Sequence, residues 1–411
     1  MGRHVGKKIL FIVWCFLHQI GTTLAEWTVL FVMQGDNNLS FFMHQNIATL
    51  KHIGSTKDVN LLVQWDEPVK HTTWRYKVGQ GKLIQDASLP QDMGVNPQQE
   101  LIDACKWAFL KYPAKKQALI LWNHGSGILD EQRDWRKYRG ILYDFSSKKC
   151  LTNQGLKLAL TTIHQEVLNG KKFDLLGMDA CLMAMLEIAY QIKDFTHYFV
   201  ASENIEHAPG WHYEIIVRNL INAPKNYTAA PLAHLIVHSF ELFNIDRNSI
   251  YTQSALDLSK ITLLKENVHE LATVSLAHAN SLILRKCILA ARRSSLEFDG
   301  GNFIDLYDFY SKLEYEITLQ KAHLREIYPQ LLPPLTTGKQ LIKQVVIGHR
   351  SGRSVARAQG LSIYFPRTAT LHLPYYDTLF AQKTDWPLFL KSFSFTEKKK
   401  ITAQKAVLKA H

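Results

Sequence analysis

Apolar runs of strand length, separated by helical stretches, restrict the fold of this chain more than any other feature. The runs are continuous, without polar alternation, as is typical of strands that are covered on both faces. They comprise residues 28–33, 60–65, 118–122, 173–178, 198–201 and 360–365. Helical patterns between or after them cover residues 97–112, 153–168, 184–193 and a long stretch beyond residue 257. This alternation predicts an α/β fold in which helices cover both faces of a mostly parallel sheet.

Three further segments complete the predicted organisation. Residues 72–78 and 82–87, separated by Gly79-Gln80-Gly81, predict a hairpin before the first long helix. Residues 258–345 have a mainly helical pattern and predict a helical subdomain in the C-terminal part. We expect the last apolar run to return from that region to the main sheet.

The first 25 residues predict a secretory signal peptide. Arg3, Lys7 and Lys8 precede a short apolar stretch, and Thr23-Leu24-Ala25 fits a cleavage site of small residues. A membrane anchor is the alternative, but the apolar stretch is too short to span a bilayer comfortably. No later stretch approaches 18 apolar residues, so we expect a secreted or periplasmic protein without stable membrane insertion.

Composition and charge exclude several classes of protein. Apolar residues make up 46% of the chain and charged residues 20%, which is typical of a folded globular protein. The net charge is +12, but the basic residues are scattered and no zinc or helix-turn-helix signature accompanies them. A nucleic-acid partner is therefore not expected. The charge taken alone favours a different hypothesis, a basic protein that binds an anionic surface.

The cysteine pattern predicts one reactive thiol and other cysteines without a catalytic role. Four remain once the signal peptide is removed, too few for a disulfide scaffold in a chain of this length. Their spacing fits no zinc or cluster motif. A disulfide between Cys105 and Cys287 is the alternative for an exported protein, and the sequence does not decide it.

His124 and Cys181 each follow an apolar run, and they form the candidate catalytic pair. Reactive side chains in α/β sheets lie at the carboxyl ends of strands. A thiol nucleophile needs a base, and the imidazole pKa suits that task near neutral pH. The backbone N–H groups of Gly125 and Cys181 are the natural oxyanion donors. Taken singly, Cys181 has a plainer interpretation as a buried, inert cysteine, and His124 as a hydrogen-bonded structural histidine.

These residues and their surroundings resemble the clostripain family of cysteine peptidases, in the clan of caspases, legumain and gingipains. The resemblance rests first on Leu121-Trp122-Asn123-His124-Gly125 and Met178-Asp179-Ala180-Cys181. It extends over most of the chain, through residues 27–38, 60–66, 201–203, 209–213, 303–309, 359–366 and 386–390. The resemblance implies a caspase-like α/β/α sandwich over residues 26–395, followed by a basic tail at 396–411. It also implies a cysteine endopeptidase acting on proteins or peptides. A non-catalytic binding or adhesion protein that retains the fold is the alternative.

Asp179 is the candidate specificity residue. In an extended segment it shares a face with Cys181, and the resemblance assigns it contact with a substrate Lys or Arg. The alternative is a cap for a helix that begins near Leu182. Pro209 stands where the family has a second acid, and Glu203 and Glu206 are the candidates to replace it. We expect cleavage after Arg or Lys, with a weaker preference than two acids would give unless Glu203 or Glu206 turns inward to compensate.

The charged segment 128–151 lies between the two candidate catalytic residues. The resemblance implies an activating cut there, for which Lys148 and Lys149 are the first candidates and Arg136, Lys137 and Arg139 the others. An uncut insertion loop is the alternative. No metal site is predicted, since no loop has EF-hand spacing, although relatives include proteins that use calcium.

Overall fold

The computed structural model describes residues 24–393, apart from residues 69, 71, 131–139, 245–248 and 369. Residues 1–23 of the expected signal peptide and the tail at 396–411 lie outside the described residues. Within the described part, no helix is both long enough and apolar enough to cross a membrane.

The apolar runs of the sequence form most of the strands, and polar or turn residues separate them. The strands are β1 Ala25–Met33, β2 Val59–Trp65, β3 Thr73–Gly79, β4 Lys82–Leu89, β5 Ala114–Trp122, β6 Ile141–Asp144, β7 Lys149–Leu151, β8 Phe173–Asp179, β9 Thr196–Ala201, β10 Thr252–Asp257, β11 Glu297–Phe298, β12 Phe303–Asp305, β13 Val346–Ser351 and β14 Ser362–Tyr364. The described α-helices are α1 Ser40–Ile53, α2 Pro97–Cys105, α3 Asn153–Thr162, α4 Leu186–Ile192, α5 Tyr213–Asn222, α6 Ala229–Asn244, α7 Ile261–Ala277, α8 Leu282–Ser294, α9 Leu306–Leu319, α10 Tyr328–Val345, α11 Leu379–Gln382 and α12 Trp386–Phe393. Short 3₁₀ turns occupy Leu258–Lys260, Asp299–Gly301, Arg353–Val355 and Leu373–Asp377.

A nine-stranded sheet in the order β13-β10-β9-β8-β5-β1-β2-β3-β4 forms the centre of the molecule. Its five central strands, β9, β8, β5, β1 and β2, are parallel. The predicted hairpin is confirmed as β3 and β4, which add an antiparallel edge beside β2. On the other edge β10 and β13 pair antiparallel.

Alternate residues of the central strands enter two separate apolar cores. Leu30 and Val32 of β1 join a core with α2, α3, α4 and α7, whereas Val29 and Phe31 join one with α1, α5 and α6. This alternation follows from the pleat, which points successive side chains to opposite faces. The predicted caspase-like α/β/α sandwich with a mostly parallel sheet is confirmed.

Local signals at the helix starts agree with the sequence. Asn96 accepts a hydrogen bond from Gln99 N, and Pro97 follows at the first helical position of α2. Thr152 caps α3 in the same way, through Gly155 N. Each helix continues into a π-helical turn, at Lys106–Leu110 and Ile163–Val167, which accounts for the length of the predicted helices.

The last apolar run does not return to the main sheet, so that prediction was wrong. Its strand β14 pairs antiparallel with β12 in a separate sheet of order β11-β12-β14. The edge beside β10 is taken instead by β13, a strand the sequence did not indicate. Helices α7 to α10, from the predicted helical subdomain, contribute to the same apolar core as the sheet.

The described part of segment 128–151 contains buried residues and regular structure, unlike a polar insertion loop. Ile128 and Leu129 are buried, and β6 and β7 form a two-stranded sheet. Within the described part of 128–151, the exposed residues lie at or beside the turn that joins these two strands. Arg136, Lys137 and Arg139 fall outside the described residues.

Candidate active site

Strand register brings His124 and Cys181 to the same place. In the parallel pair β5–β8, Trp122 lies opposite Asp179, and Asn123 N donates to Asp179 O at 3.2 Å. His124 lies two residues beyond Trp122, and Cys181 lies two residues beyond Asp179. Both therefore lie at the same edge of the sheet. The two segments lie in close contact there: a Cβ on Gly125 would overlap the carbonyl oxygen of Cys181. Only glycine permits this approach.

The two side chains line one open cavity of about 260 Å³. Its walls come from the ends of β1, β5 and β8 and from the segment after β9. The lining residues are Asn38, Leu39, Trp122, Asn123, His124, Asp179, Ala180, Cys181, Ile205, Glu206, His207, Ala208 and Gly210.

His124 is held by a residue that the sequence did not identify. Its Nε2 lies 2.8 Å from Asn38 Oδ1, so the imidazole donates to Asn38 when Nε2 carries the proton. Asn38 follows the carboxyl end of β1, the strand beside β5. This position after a strand end is the feature of the sequence that could have identified Asn38 as a site residue. Burial lowers the pKa of His124. The imidazole is therefore neutral, and able to accept a proton, at neutral pH.

Cys181 lies among converging backbone N–H groups. Burial raises the pKa of its thiol, while the N–H groups of Glu206, Cys181 itself and Gly125 act in the opposite direction. The Glu206 N–H donates to Sγ at 3.3 Å. The two predicted oxyanion donors are thus among the groups that favour the thiolate form of Cys181.

Asp179 forms part of the cavity wall and is only 3% exposed. Its Oδ2 accepts hydrogen bonds from Trp211 N at 3.0 Å and from the Tyr213 hydroxyl at 2.6 Å. Gly210 has φ 69° and leaves room for this carboxylate, since a Cβ there would lie 2.6 Å from Oδ2. The alternative of a helix cap is wrong, because α4 begins at Leu186 without a side-chain cap.

Glu206 also lies in the cavity, beside Asp179. Burial raises the pKa of Glu206 well above its usual value, and the negative charge of Asp179 raises it further. Gln253 links this carboxyl to the cavity wall: its amide NH₂ donates to Glu206 Oε1 at 2.8 Å and its oxygen accepts from Trp211 Nε1 at 2.7 Å. Burial likewise raises the pKa of Asp179, while its hydrogen bond with Glu206 lowers it. The two carboxyls therefore form a hydrogen-bonded pair in which Glu206 holds its proton more tightly than Asp179.

Glu203 does not line the cavity, although the sequence suggested it as a substrate-binding residue. It is fully buried, and its Oε2 accepts from Gly360 N at 2.8 Å. Burial and the adjacent Asp305 raise its pKa well above the usual value. The carboxyl therefore contacts the segment before β14.

Lys148 and Lys149, the candidate processing residues, are exposed at the turn between β6 and β7. Lys148 has φ 56°, and Lys149 Nζ donates to Val95 O at 2.8 Å. Both are accessible, but they belong to an ordered turn.

The buried thiols differ from Cys181 in their surroundings. Cys105 and Cys287 are not joined by a disulfide. Burial raises the pKa of both, that of Cys287 to about 11. Neither residue lines the cavity.

Three buried carboxylates that could hold a cation meet near the turn after β1. Asp36, Asp92 and Asp144 are buried, and each offers an oxygen to a group in which these atoms lie within 4.8 Å of one another. The sequence did not indicate this cluster, because its members are far apart along the chain and match no loop motif.

Comparisons with known proteins agree with this fold. A family model described as the clostripain family matches residues 31–393. Clostripain of Hathewaya histolytica is 24% identical over 413 residues, which cover 85% of this chain and 76% of that protein. A secreted C11 cysteine protease of Bacteroides thetaiotaomicron, solved with an irreversible peptide inhibitor, superposes with a TM-score of 0.63 at 19% identity, covering 89% of this chain and 99% of that one. An inactive zymogen C11 protease of Parabacteroides distasonis gives 0.63 at 20% identity, covering 88% and 98%.

Proposed function

This chain belongs to the clostripain family and is a cysteine endopeptidase, and on that premise we propose that Cys181 and His124 are its catalytic dyad. One observation carries the proposal most directly. The β5–β8 register leads both residues into a single cavity, whose walls they share.

In the proposed mechanism, the thiol of Cys181 gives its proton to the neutral imidazole of His124 as Sγ attacks the peptide carbonyl. The N–H groups of Gly125 and Cys181 donate to the oxyanion that forms. His124 then returns the proton to the leaving amine, and water hydrolyses the thioester. Asn38 acts as a positioning residue, because its side chain fixes the imidazole.

We propose cleavage after Lys or Arg, with Asp179 and Glu206 receiving the basic side chain. Both carboxyls line the cavity that contains Cys181, and Glu206 supplies the acid that Pro209 lacks. Because the pair is buried, placing a neutral side chain beside it leaves a carboxylate without a counter-charge.

We also propose that the protein is exported and activated by a cut in the 128–151 segment. A cut after Ala25 would leave Glu26 at the start of β1, where it forms ion pairs with Lys115 and Lys116. The secreted and zymogen relatives are consistent with this route. The accessible turn with Lys148 and Lys149 is the candidate site of activation.

Replacing both turn lysines with glutamine should test activation. We expect the wild-type mature protein to separate into two chains on a denaturing gel, and the double variant Lys148→Gln/Lys149→Gln to remain one chain of low activity. Lys171→Gln, at another exposed lysine, is the control. Full activity of an uncut chain would show that the cut is not required.

Affinity labelling tests the dyad and the specificity together. A peptidyl chloromethyl ketone ending in Lys should alkylate the thiol with loss of chloride, and a matched reagent ending in Leu should react more slowly. Peptide mapping by mass spectrometry should find the label on Cys181 and not on the buried Cys105 or Cys287. Label on another cysteine, or equal rates with both reagents, would contradict the proposal.

A further inference from the structure

Helices α8 and α9 pack side by side and run in opposite directions. The carboxylate of Asp308, near the start of α9, accepts from Leu296 N, just after α8, at 2.7 Å. Cys287 Sγ, in the first half of α8, donates to Glu316 O, near the end of α9, at 3.5 Å. The start of α8 therefore lies beside the end of α9, where the turn that leads to α10 begins.

Three exposed apolar side chains lie at this end of the two helices. Leu282 is the first residue of α8 and is 73% exposed, while Tyr315 and Leu319 lie one turn apart on α9 and are each 60% exposed. A groove of about 940 Å³ continues from Leu319 to α10, with Tyr328 and Leu332 in its wall. Single exposed apolar residues are ordinary, but a group of them beside an apolar groove marks an interaction surface. These three residues and the groove are named the α8–α10 surface.

Cationic side chains without ion pairs border the α8–α10 surface. Lys286 is exposed in the second turn of α8, and Lys321 and Arg325 line the groove. Within the part of the chain that the structure describes, none of the three makes an ion pair with an acid. The unpaired acids in the same segments are Glu316 and Glu326, so cations remain in excess.

The C-terminal tail begins beside the same surface and adds to its positive charge. Arg285 donates a hydrogen bond to Ser392 O, so the last described residues lie near the start of α8. Residues 396–411, which lie outside the described residues, contain five lysines and one glutamate. Ile401, Val407 and Leu408 stand between these lysines in the sequence. Lysines interspersed with apolar residues are typical of segments that bind anionic membrane surfaces.

We propose that the α8–α10 surface and the tail dock this protein on an anionic lipid bilayer. The exposed leucines enter the boundary between head groups and acyl chains, where tyrosine side chains are also favoured, and the cations contact lipid phosphates. A bilayer uses both features of the surface. A soluble polyanion would leave the leucines in water, and an apolar protein partner would leave the cations without counter-charges.

Vesicle sedimentation with the full mature chain tests the electrostatic part of this docking. Binding to an equimolar mixture of phosphatidylglycerol and phosphatidylcholine should exceed binding to phosphatidylcholine alone at least ~10-fold, and should fall steeply from ~0.1 M to ~0.5 M salt. Lys321→Gln/Arg325→Gln should lower partitioning ~30-fold, since both cations lie near the lipid phosphates. Lys57→Gln/Lys225→Gln removes the same charge at two exposed lysines elsewhere and is the matched control, which should change partitioning far less.

A second pair of variants tests the apolar part. Leu282→Ser/Leu319→Ser should lower partitioning at least ~10-fold, because the leucines no longer enter the bilayer. Circular dichroism should stay unchanged, since both side chains are already exposed. Leu110→Ser/Leu158→Ser removes two exposed leucines outside the surface and should bind as wild type does. A chain that ends at Phe395 should bind more weakly but still respond to Leu282→Ser/Leu319→Ser.

Four results would overturn the proposal. Equal binding to both kinds of vesicle would exclude an anionic bilayer as the partner, and equal losses in a variant and its control would exclude the α8–α10 surface. Undiminished vesicle binding by Leu282→Ser/Leu319→Ser, with equal binding of dextran sulfate to this variant and to wild type, would identify a polyanion site instead. A truncated chain that no longer responds to the leucine substitutions would place binding in the tail alone. None of these measurements uses turnover, so they stand even if the proposed dyad is rejected.

Discussion

Replacing Cys181 with alanine is expected to lower kcat/KM for a peptide substrate by at least ~10⁴-fold, because the variant has no nucleophile. His124→Ala should cause a comparable loss, since the thiol then has no base. The double variant should be little worse than either single variant, because the two groups act as one unit. Steady-state assays with a fluorogenic peptide ending in Lys would measure all three.

His197→Ala is the matched control for the histidine, since His197 is exposed near the start of β9, at the opposite end of the sheet from the cavity. It should retain wild-type activity. Circular dichroism and thermal midpoints should show that every variant is folded. Turnover that survives Cys181→Ala would exclude the thiol mechanism, and additive losses in the double variant would exclude a dyad.

The Asp179→Asn/Glu206→Gln double variant is expected to lose the preference for Lys and Arg. Removing the partner of a buried charge typically loses about 3 kcal/mol, which corresponds to ~100-fold in kcat/KM for basic substrates. Hydrolysis after a neutral residue should change much less. Profiling of the P1 position with a peptide library would measure both rates.

The single variants should show which carboxyl normally carries the charge. Burial and the adjacent Asp179 raise the pKa of Glu206 well above its usual value, so Asp179 ionises first. Asp179→Asn should therefore reduce the preference more than Glu206→Gln. Each single variant should lose less than half as much of the preference for Lys and Arg as the double variant loses, because the remaining carboxyl can take the charge. An unchanged P1 profile in the double variant would reject both residues as the specificity site.

The sequence predicted the parts of the fold that depend on continuous apolar runs. The five central strands are of this kind, and their carboxyl ends were enough to suggest His124 and Cys181. The strand β10 was missed because it contains Thr252, Gln253 and Ser254, which break the apolar pattern. The final run was wrongly assigned to the main sheet, since an apolar strand of three residues carries no information about its partner.

The side-chain environment could not be deduced in the same way. Asn38 contacts His124 across 86 positions of the chain, and Asp36 meets Asp144 across a comparable separation. Such contacts depend on the strand order, which local patterns do not encode. Glu203 and Glu206 were equivalent candidates by sequence, but the chain after β9 directs one into a buried contact with Gly360 and the other into the cavity.

The adjacency of β5 and β8 has a consequence for refolding. Any cut in the 128–151 segment leaves β1 to β5 on one fragment and β8 onward on the other, so the centre of the sheet becomes a contact between two polypeptides. The five register pairs of β5 and β8 would hold the fragments together while the protein stays folded. Once unfolded, the fragments would have to find each other by diffusion, and reassembly would slow on dilution. The uncut chain would recover its structure at a rate independent of concentration. Folding must therefore precede cutting, and a cut molecule that unfolds is effectively lost.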